Sequence, residues 1–108
     1  MSGAESEFLI VFMTAPNGEE ATRLAEMLVG SQLAACVQIL PAMESIYRWE
    51  GKIERQPEVL LIAKTTSERF PEFEREVLAL HSYDTPEIVA LPITHGSKAY
   101  LKWLNENV

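Results

Sequence analysis

The sequence predicts a single α+β domain whose elements follow the order β-α-β-β-α-β, with a short helix added at the C-terminus. Three observations predict it: an apolar run near the N-terminus, two long β-type segments around a glycine turn, and two intervening segments with helical spacing of apolar residues. We expect the domain to cover residues 7–108 and residues 1–6 to form a flexible tail.

Each element has its own signal in the sequence. Pro41 predicts a bulge or bend in the second strand, because proline cannot donate to a strand ladder. Gly51 turns the chain, Pro71 is tolerated at a helix start, and Ser97 is a candidate N-cap. The predicted strands cover residues 8–13, 34–49, 53–66 and 88–93, and the predicted main helices cover residues 19–30 and 70–80. This order is the ferredoxin-like pattern, in which both main helices lie on one face of an antiparallel sheet.

The second and third strands are longer than the usual strand of about 5–6 residues. A small sheet cannot cover both of them with its own helices, and the overhang carries Tyr47 and Trp49, which have large apolar surfaces. We therefore expect other copies of the chain to bury this hairpin, so that the protein is a homo-oligomer with its functional site near a subunit boundary.

Composition and charge restrict the classes of partner. The chain has a net charge of −7, which argues against a nucleic-acid backbone or an anionic membrane as partner. Its single cysteine excludes an intrachain disulfide and any multi-cysteine zinc motif. No signal-type segment and no apolar stretch of 18 residues is present, so we expect a cytoplasmic protein.

No catalytic motif is present. The sequence has no P-loop, GxGxxG, GxSxG or HExxH motif, no EF-hand spacing, and no serine with a local reason to act as a nucleophile. We therefore expect no enzymatic activity, no organic cofactor and no catalytic residues.

Two residues could bind a metal ion, and each also has a structural interpretation. Cys36 lies within a strand, where it is either a small buried apolar residue or a soft-metal ligand and reactive thiol. His81 ends the second helix, where it either complements the helix dipole or binds copper, nickel or zinc as a neutral imidazole.

A lysine and several aromatic residues are candidates for a ligand pocket. Lys64 shares a strand face with Leu60 and Ile62, so its charge either reaches solvent at the sheet end or binds an anion in a pocket. The aromatic residues could line a cleft, or they could belong to the core or a subunit interface. They are Tyr47, Trp49, Tyr83, Tyr100 and Trp103.

Short motifs follow one another along nearly the whole chain from Phe8 onward. The most specific are the hairpin Tyr47-Arg-Trp-Glu-Gly-Lys52 and the connector His81-Ser-Tyr-Asp-Thr-Pro-Glu87. The others are Thr14-Ala-Pro16, Leu33-Ala-Ala-Cys36, Ile39-Leu-Pro41, Glu58-Val-Leu-Leu-Ile-Ala-Lys-Thr65, Leu91-Pro-Ile93 and Tyr100-Leu-Lys-Trp103. Together they closely resemble the CutA1 family, the divalent-cation-tolerance proteins.

The resemblance implies a tight homotrimer, similar to the PII signalling proteins, in which long hairpins pair across subunits. It implies a role in tolerance of divalent metals, with copper or another divalent cation bound in a cleft between subunits. The residues that it suggests for metal binding are His81, Cys36 and Met13, and those for a ligand pocket are Lys64, Trp49, Tyr83, Trp103 and Gln38.

Two departures from the family pattern affect the metal site. Some members have a cysteine where Met13 stands and a second histidine where Leu80 stands. The thioether of Met13 can still bind Cu(I), but a Cu(II) or Zn(II) site loses donors. The alternative function is a PII-like signalling or scaffold trimer that binds a small ligand or tethers a partner protein, with metal binding incidental.

Overall fold

The computed structural model describes residues 7–108 and has the predicted order of elements. The flexible tail predicted at residues 1–6 lies outside the described residues. The strands are β1 (Phe8–Ala15), β2 (Cys36–Trp49), β3 (Lys52–Thr66) and β4 (Ile88–Pro92), and the helices are α1 (Gly18–Gly30), α2 (Phe70–Leu80) and α3 (Lys98–Glu106). No helix in this part of the chain is long and apolar enough to cross a membrane.

The four strands form one antiparallel sheet in the order β2-β3-β1-β4. Alternation along β1 and β3 directs one set of side chains into a core that α1 and α2 cover. Val11 and Met13 of β1 and Leu61 of β3 belong to this set and are fully buried. The predicted α+β sandwich, with both main helices on one face, is therefore confirmed.

A long hairpin extends beyond the sheet. Strand β1 pairs only with residues 59–66 of β3, so the preceding part of β3 pairs with β2 alone. We call residues 43–58 the hairpin arm. The predicted irregularity near Pro41 is a shift in register between Leu40 and Met43, and the predicted turn at Gly51 has a φ of 79°. Glycine adopts this left-handed conformation at no steric cost.

The sheet face opposite α1 and α2 is largely uncovered, and we call it the open face. Helix α3 lies against β3 at one end of it. Elsewhere it presents Leu40, Val89 and Leu91, each nearly half exposed. A contiguous apolar surface of this kind marks an interaction site in a soluble protein.

Capping side chains fix the starts of α1 and α3. Ser97 accepts a hydrogen bond from the backbone N–H of Tyr100 (3.3 Å), as its position in the sequence predicts. Asn17, which was not predicted as a cap, caps α1 by accepting from the N–H of Glu20 (2.8 Å). This cap places Glu20 on the first turn of α1, beside the site described next.

Candidate functional site

A pocket of about 560 Å³ lies between the hairpin arm and the loop that joins α2 to β4. We call it the hairpin pocket. Three aromatic residues and three carboxylates line it together with small polar groups, and no lysine or arginine of the described chain does so. The aromatic residues are Tyr47, Trp49 and Tyr83, and the carboxylates are Glu58, Asp84 and Glu87.

Glu58 and Tyr83 form the polar wall of the hairpin pocket. The hydroxyl of Tyr83 donates to Oε2 of Glu58 (3.1 Å), and Glu58 is only 8% exposed. Burial raises the pKa of Tyr83 to about 12, and the hydrogen bond and the negative charge of Glu58 contribute to the increase. Tyr83 therefore stays protonated near neutral pH and keeps its hydrogen bond to Glu58.

His81 anchors the loop that carries Tyr83. Its side chain is fully buried, and Nε2 donates to the carbonyl oxygen of Thr14 on β1 (2.8 Å), since a carbonyl can only accept. Nδ1 then accepts from the backbone N–H of Tyr83 (3.0 Å), and the two rings pack with centroids 4.8 Å apart. Both ring nitrogens therefore hold the wall of the hairpin pocket in place.

A buried carboxylate completes this anchor. Oε2 of Glu20 accepts hydrogen bonds from both the backbone N–H and the hydroxyl of Ser82 (3.0 Å each), and lies 3.3 Å from Nδ1 of His81. Burial alone would raise the pKa of Glu20. The two hydrogen bonds from Ser82 outweigh burial, with the positive charge of Arg23 acting in the same direction, and hold the pKa below its ordinary value of 4.5.

We expect Glu20 to make stability depend on pH. Because its pKa is lower in the folded state, its contribution is fully present above the unfolded value of 4.5 and is lost as the pH falls through the folded pKa. Glu20→Gln should lower the free energy of unfolding by about 1.5–3 kcal/mol at pH 7 and by progressively less below pH 4.5. Urea unfolding of both proteins from pH 3 to pH 7 measures this difference.

The control for this pH prediction is Glu26→Gln, which removes an exposed carboxylate from the same helix. We expect its effect on the free energy of unfolding to stay within about 0.5 kcal/mol at every pH. A Glu20→Gln difference that did not change between pH 3 and pH 7 would contradict the electrostatic origin.

A second group of candidate residues lies at the other end of β3, on the open face. We call Cys36, Gln38, Lys64, Tyr100 and Trp103 the Cys36 cluster. Cys36 pairs with Lys64 across the strands, and Lys64 donates from Nζ to Oε1 of Gln38 (2.7 Å). The sulfur of Cys36 lies 3.7 Å from the hydroxyl of Tyr100, whose ring packs against Trp103 with centroids 5.6 Å apart.

Charge and burial in the Cys36 cluster differ from those in the hairpin pocket. Burial raises the pKa of Tyr100, and its hydrogen bond to Cys36 acts in the same direction. Lys64 is half-buried among apolar neighbours, as its place on the face of Leu60 and Ile62 predicts. Its Nζ donates to the amide oxygen of Gln38, and no carboxylate of residues 7–108 forms an ion pair with it.

The five predicted pocket residues therefore divide between two places. Trp49 and Tyr83 line the hairpin pocket, whereas Gln38, Lys64 and Trp103 belong to the Cys36 cluster.

Within the chain, the three predicted metal-binding residues do not come together. The side chain of Met13 is fully buried in the core, on the sheet face opposite the one that Cys36 occupies. His81 uses both ring nitrogens for other hydrogen bonds. Across residues 7–108, no group of three or more histidine, cysteine, aspartate or glutamate residues could hold a metal ion.

The sequence did not indicate that two carboxylates of this site are buried, since Glu58 was interpreted as part of a solvated face and Glu20 as a first-turn residue that the helix dipole favours. Glu20 is buried because it shares a helix face with Leu24 and Leu28, at spacings of four residues. Glu58 shares a strand face with Leu60 and Lys64, at spacings of two. In each case the periodicity that located the apolar residues also located the carboxylate.

Comparisons with known proteins agree with these features of the fold. A family model described as CutA1 divalent ion tolerance protein matches residues 9–107. A divalent-cation tolerance protein CutA from Thermus thermophilus is 50% identical over 91% of this chain and 95% of its own length. A chloroplastic CutA protein from Arabidopsis thaliana is 46% identical over 92% of this chain, which spans only 54% of that relative.

A solved structure gives the same result for the fold. It is described as the periplasmic divalent cation tolerance protein CutA from Archaeoglobus fulgidus, and it superposes with a TM-score of 0.90 at 48% identity. The match covers 93% of this chain and 97% of that one. The chain therefore belongs to the CutA1 family of divalent ion tolerance proteins.

Proposed function

We propose that the protein acts as a homotrimer in tolerance of divalent cations and binds copper or another divalent cation in a cleft between subunits. Its relatives are named for divalent-cation tolerance, which supports the role. The proposal rests on one observation. The hairpin pocket and the Cys36 cluster lie apart from each other along the open face of the sheet.

The two groups are too far apart to act together within a subunit. Glu58 of the hairpin pocket and Lys64 of the Cys36 cluster point to the same face of β3 and are six residues apart, or about 20 Å at 3.3 Å per residue. A neighbouring subunit rotated about an axis beside the open face would bring its hairpin arm to the Cys36 cluster. Such a head-to-tail contact closes into a ring when the rotation permits, which supports a trimer with three equivalent clefts.

Cys36 is the residue best placed to bind copper in such a cleft. Of the three predicted ligands it alone lies on the open face with its sulfur near a hydrogen-bonding hydroxyl rather than in the core. A thiolate is a ligand for zinc and for copper in either oxidation state and would supply a soft donor there. Met13 and His81 would have to leave their present contacts to take part.

We expect copper to bind the reduced, chelator-stripped protein at a site that depends on Cys36. Calorimetric titration should show saturable sub-micromolar binding that Cys36→Ala reduces by at least about 100-fold, since removing a soft ligand removes the main source of affinity. Met13→Leu, which keeps the core volume, is the matched control and should leave the affinity unchanged. Weak binding that Cys36→Ala does not alter would indicate surface carboxylates only and would refute the proposed site.

The hairpin pocket favours a second function, that of a PII-like signalling or scaffold trimer. A pocket of this volume with aromatic walls and a few polar groups is typical of a small-molecule site. In this function a ligand in the pocket would signal to a tethered partner protein. A pull-down with the intact trimer as bait tests the scaffold function. If it recovers no specific protein, the result counts against that function.

We further propose that the protein works in the cytoplasm without enzymatic activity and without binding nucleic acid or membrane. The net charge of −7 supports the last two points, because phosphate-rich surfaces repel an acidic protein. The names of the plant and archaeal relatives give other compartments, chloroplast and periplasm. Cell fractionation with an antibody to the protein tests the location directly.

A further inference from the structure

We infer that Glu58 of one subunit and Lys64 of the next form an ion pair across the subunit boundary. The Cys36 cluster of one chain then completes the hairpin pocket of its neighbour, and each cleft is built from two chains. The inference deepens the first proposed function, because it rests on the proposed trimer and gives the contact that aligns the two halves of the cleft. It is carried by the charges, the positions and the bonding of these two residues.

Lys64 is the only charged residue that the four strands direct to the open face outside the hairpin arm. Its neighbours on that face are apolar or uncharged. Its Nζ donates to the amide oxygen of Gln38 (2.7 Å), and within residues 7–108 no carboxylate pairs with it. Because an ammonium group has several N–H donors, Lys64 can bind a carboxylate while it keeps this bond. An approaching subunit therefore meets a half-buried positive charge within an apolar surface.

Glu58 offers the complementary group on the hairpin arm. It is 8% exposed, and the hydroxyl of Tyr83 holds its Oε2 in place. Its Oε1 has no partner within residues 7–108 and reaches the surface of the pocket, since every fully buried side-chain oxygen of these residues is hydrogen-bonded. A carboxylate that is already fixed loses little conformational entropy when it pairs. Asp84 and Glu87 lie exposed on the neighbouring loop and add negative charge that attracts Lys64 of an approaching subunit.

Within one chain the two groups cannot meet. Both side chains point to the open face of β3, about 20 Å apart at 3.3 Å per residue, whereas the charged atoms of an ion pair lie within about 4 Å of each other. In a head-to-tail ring, each subunit offers Glu58 to one neighbour and Lys64 to the other. The apolar residues beside Lys64 are covered by the same contact. An ion pair in such surroundings specifies register and partner more than it adds affinity.

Exchanging the two charges tests the inference. Glu58→Lys and Lys64→Glu each place like charges against each other and should raise the protein concentration at which half of the trimer dissociates by at least about tenfold. The variant that carries both changes restores opposite charges and should recover most of this loss. Sedimentation over a dilution series, at one urea concentration that partly dissociates the wild type, measures all three. Glu74→Lys on the exposed face of α2 is the control and should leave assembly unchanged.

A milder pair of substitutions applies if Glu58→Lys does not fold, which thermal melts reveal. Glu58→Gln keeps an acceptor for Tyr83, and Lys64→Met keeps an unbranched apolar chain. Each single substitution leaves the charge of its partner unpaired, so the double variant should weaken assembly far less than the two single effects combined.

Three results would overturn the inference. They are an exchanged variant that assembles no better than the single variants, additive effects of the milder substitutions, and single charge reversals that act no differently from Glu74→Lys. If the wild type is a trimer, any of these refutes only the ion pair. A monomeric wild type refutes the proposed assembly and the ion pair with it.

Discussion

Replacing His81 with alanine should lower the free energy of unfolding by about 3–5 kcal/mol. The substitution removes a fully buried ring and leaves the carbonyl of Thr14 and the N–H of Tyr83 without their partner. It also opens a cavity beside Glu20. Urea unfolding followed by tryptophan fluorescence measures the change, at one fixed protein concentration because assembly contributes to apparent stability.

His95→Ala is the matched control, because His95 is the only other histidine in the chain. His95 lies exposed in the loop between β4 and α3, where its Nδ1 is hydrogen-bonded to the hydroxyl of Thr94 (3.1 Å). We expect a loss within about 0.5 kcal/mol. If the two substitutions cost the same, the buried hydrogen bonds of His81 do not stabilise the fold, and its role as an anchor is wrong.

The role of His81 affects how metal titrations are interpreted. A loss of copper binding in His81→Ala would follow from collapse of the pocket wall as readily as from loss of a ligand. Unfolding and binding must therefore be measured on the same variant. Cys36→Ala is the clearer test, because Cys36 lies outside this network and, within residues 7–108, its sulfur has a hydrogen-bond partner only in Tyr100.

The order of elements was predictable because each element has a local signal. Continuous or periodic apolar residues locate the strands and helices, Pro41 locates the register shift, and Gly51 locates the turn. The position of Lys64 on an apolar strand face also follows from alternation alone. These features depend on residues within a few positions of each other.

The anchor at His81 was not predictable because its contacts are distant in sequence. Glu20 and Ser82 are 62 positions apart, and His81 and Thr14 are 67 apart. Only the packing of α1 and α2 on the sheet brings them together. The sequence offers two interpretations of a histidine at a helix end, namely a partner of the helix dipole and a metal ligand. The observed hydrogen bonds of His81, to β1 and to the following loop, are a third arrangement that neither interpretation includes.

The division of the candidate residues between two places has a related cause. A family resemblance groups residues that meet in an assembly, and it does not indicate which of them meet within one chain. Counting along β3 separates the groups, because Glu58 and Lys64 are six positions apart on one face. The number of residues between Glu58 and Lys64 gives their distance only when the pairing of β2 with β3 shows that this segment is one continuous strand.

Replacing Leu91 with glutamate should break the proposed trimer into monomers. Leu91 lies on the open face of β4, 47% exposed in the isolated subunit, beside the apolar residues that we expect neighbouring subunits to cover. Burying an unpaired carboxylate there costs several kcal/mol in each subunit, which exceeds what a trimer retains at micromolar concentration. Light scattering should give a mass near three times 12.2 kDa for the wild type and near 12.2 kDa for the variant.

Leu78→Glu separates a specific interface from a general effect of exposed charge. Leu78 is 48% exposed, nearly the same as Leu91, but lies on α2 on the other side of the sheet. We expect this variant to remain trimeric, and Trp49→Ala to weaken the trimer by removing the aromatic surface of the hairpin arm. A trimer that survives Leu91→Glu but dissociates with Leu78→Glu would place the interface on the helices. The hairpin pocket and the Cys36 cluster would then have no neighbouring subunit to join them, and the proposed cleft would be wrong.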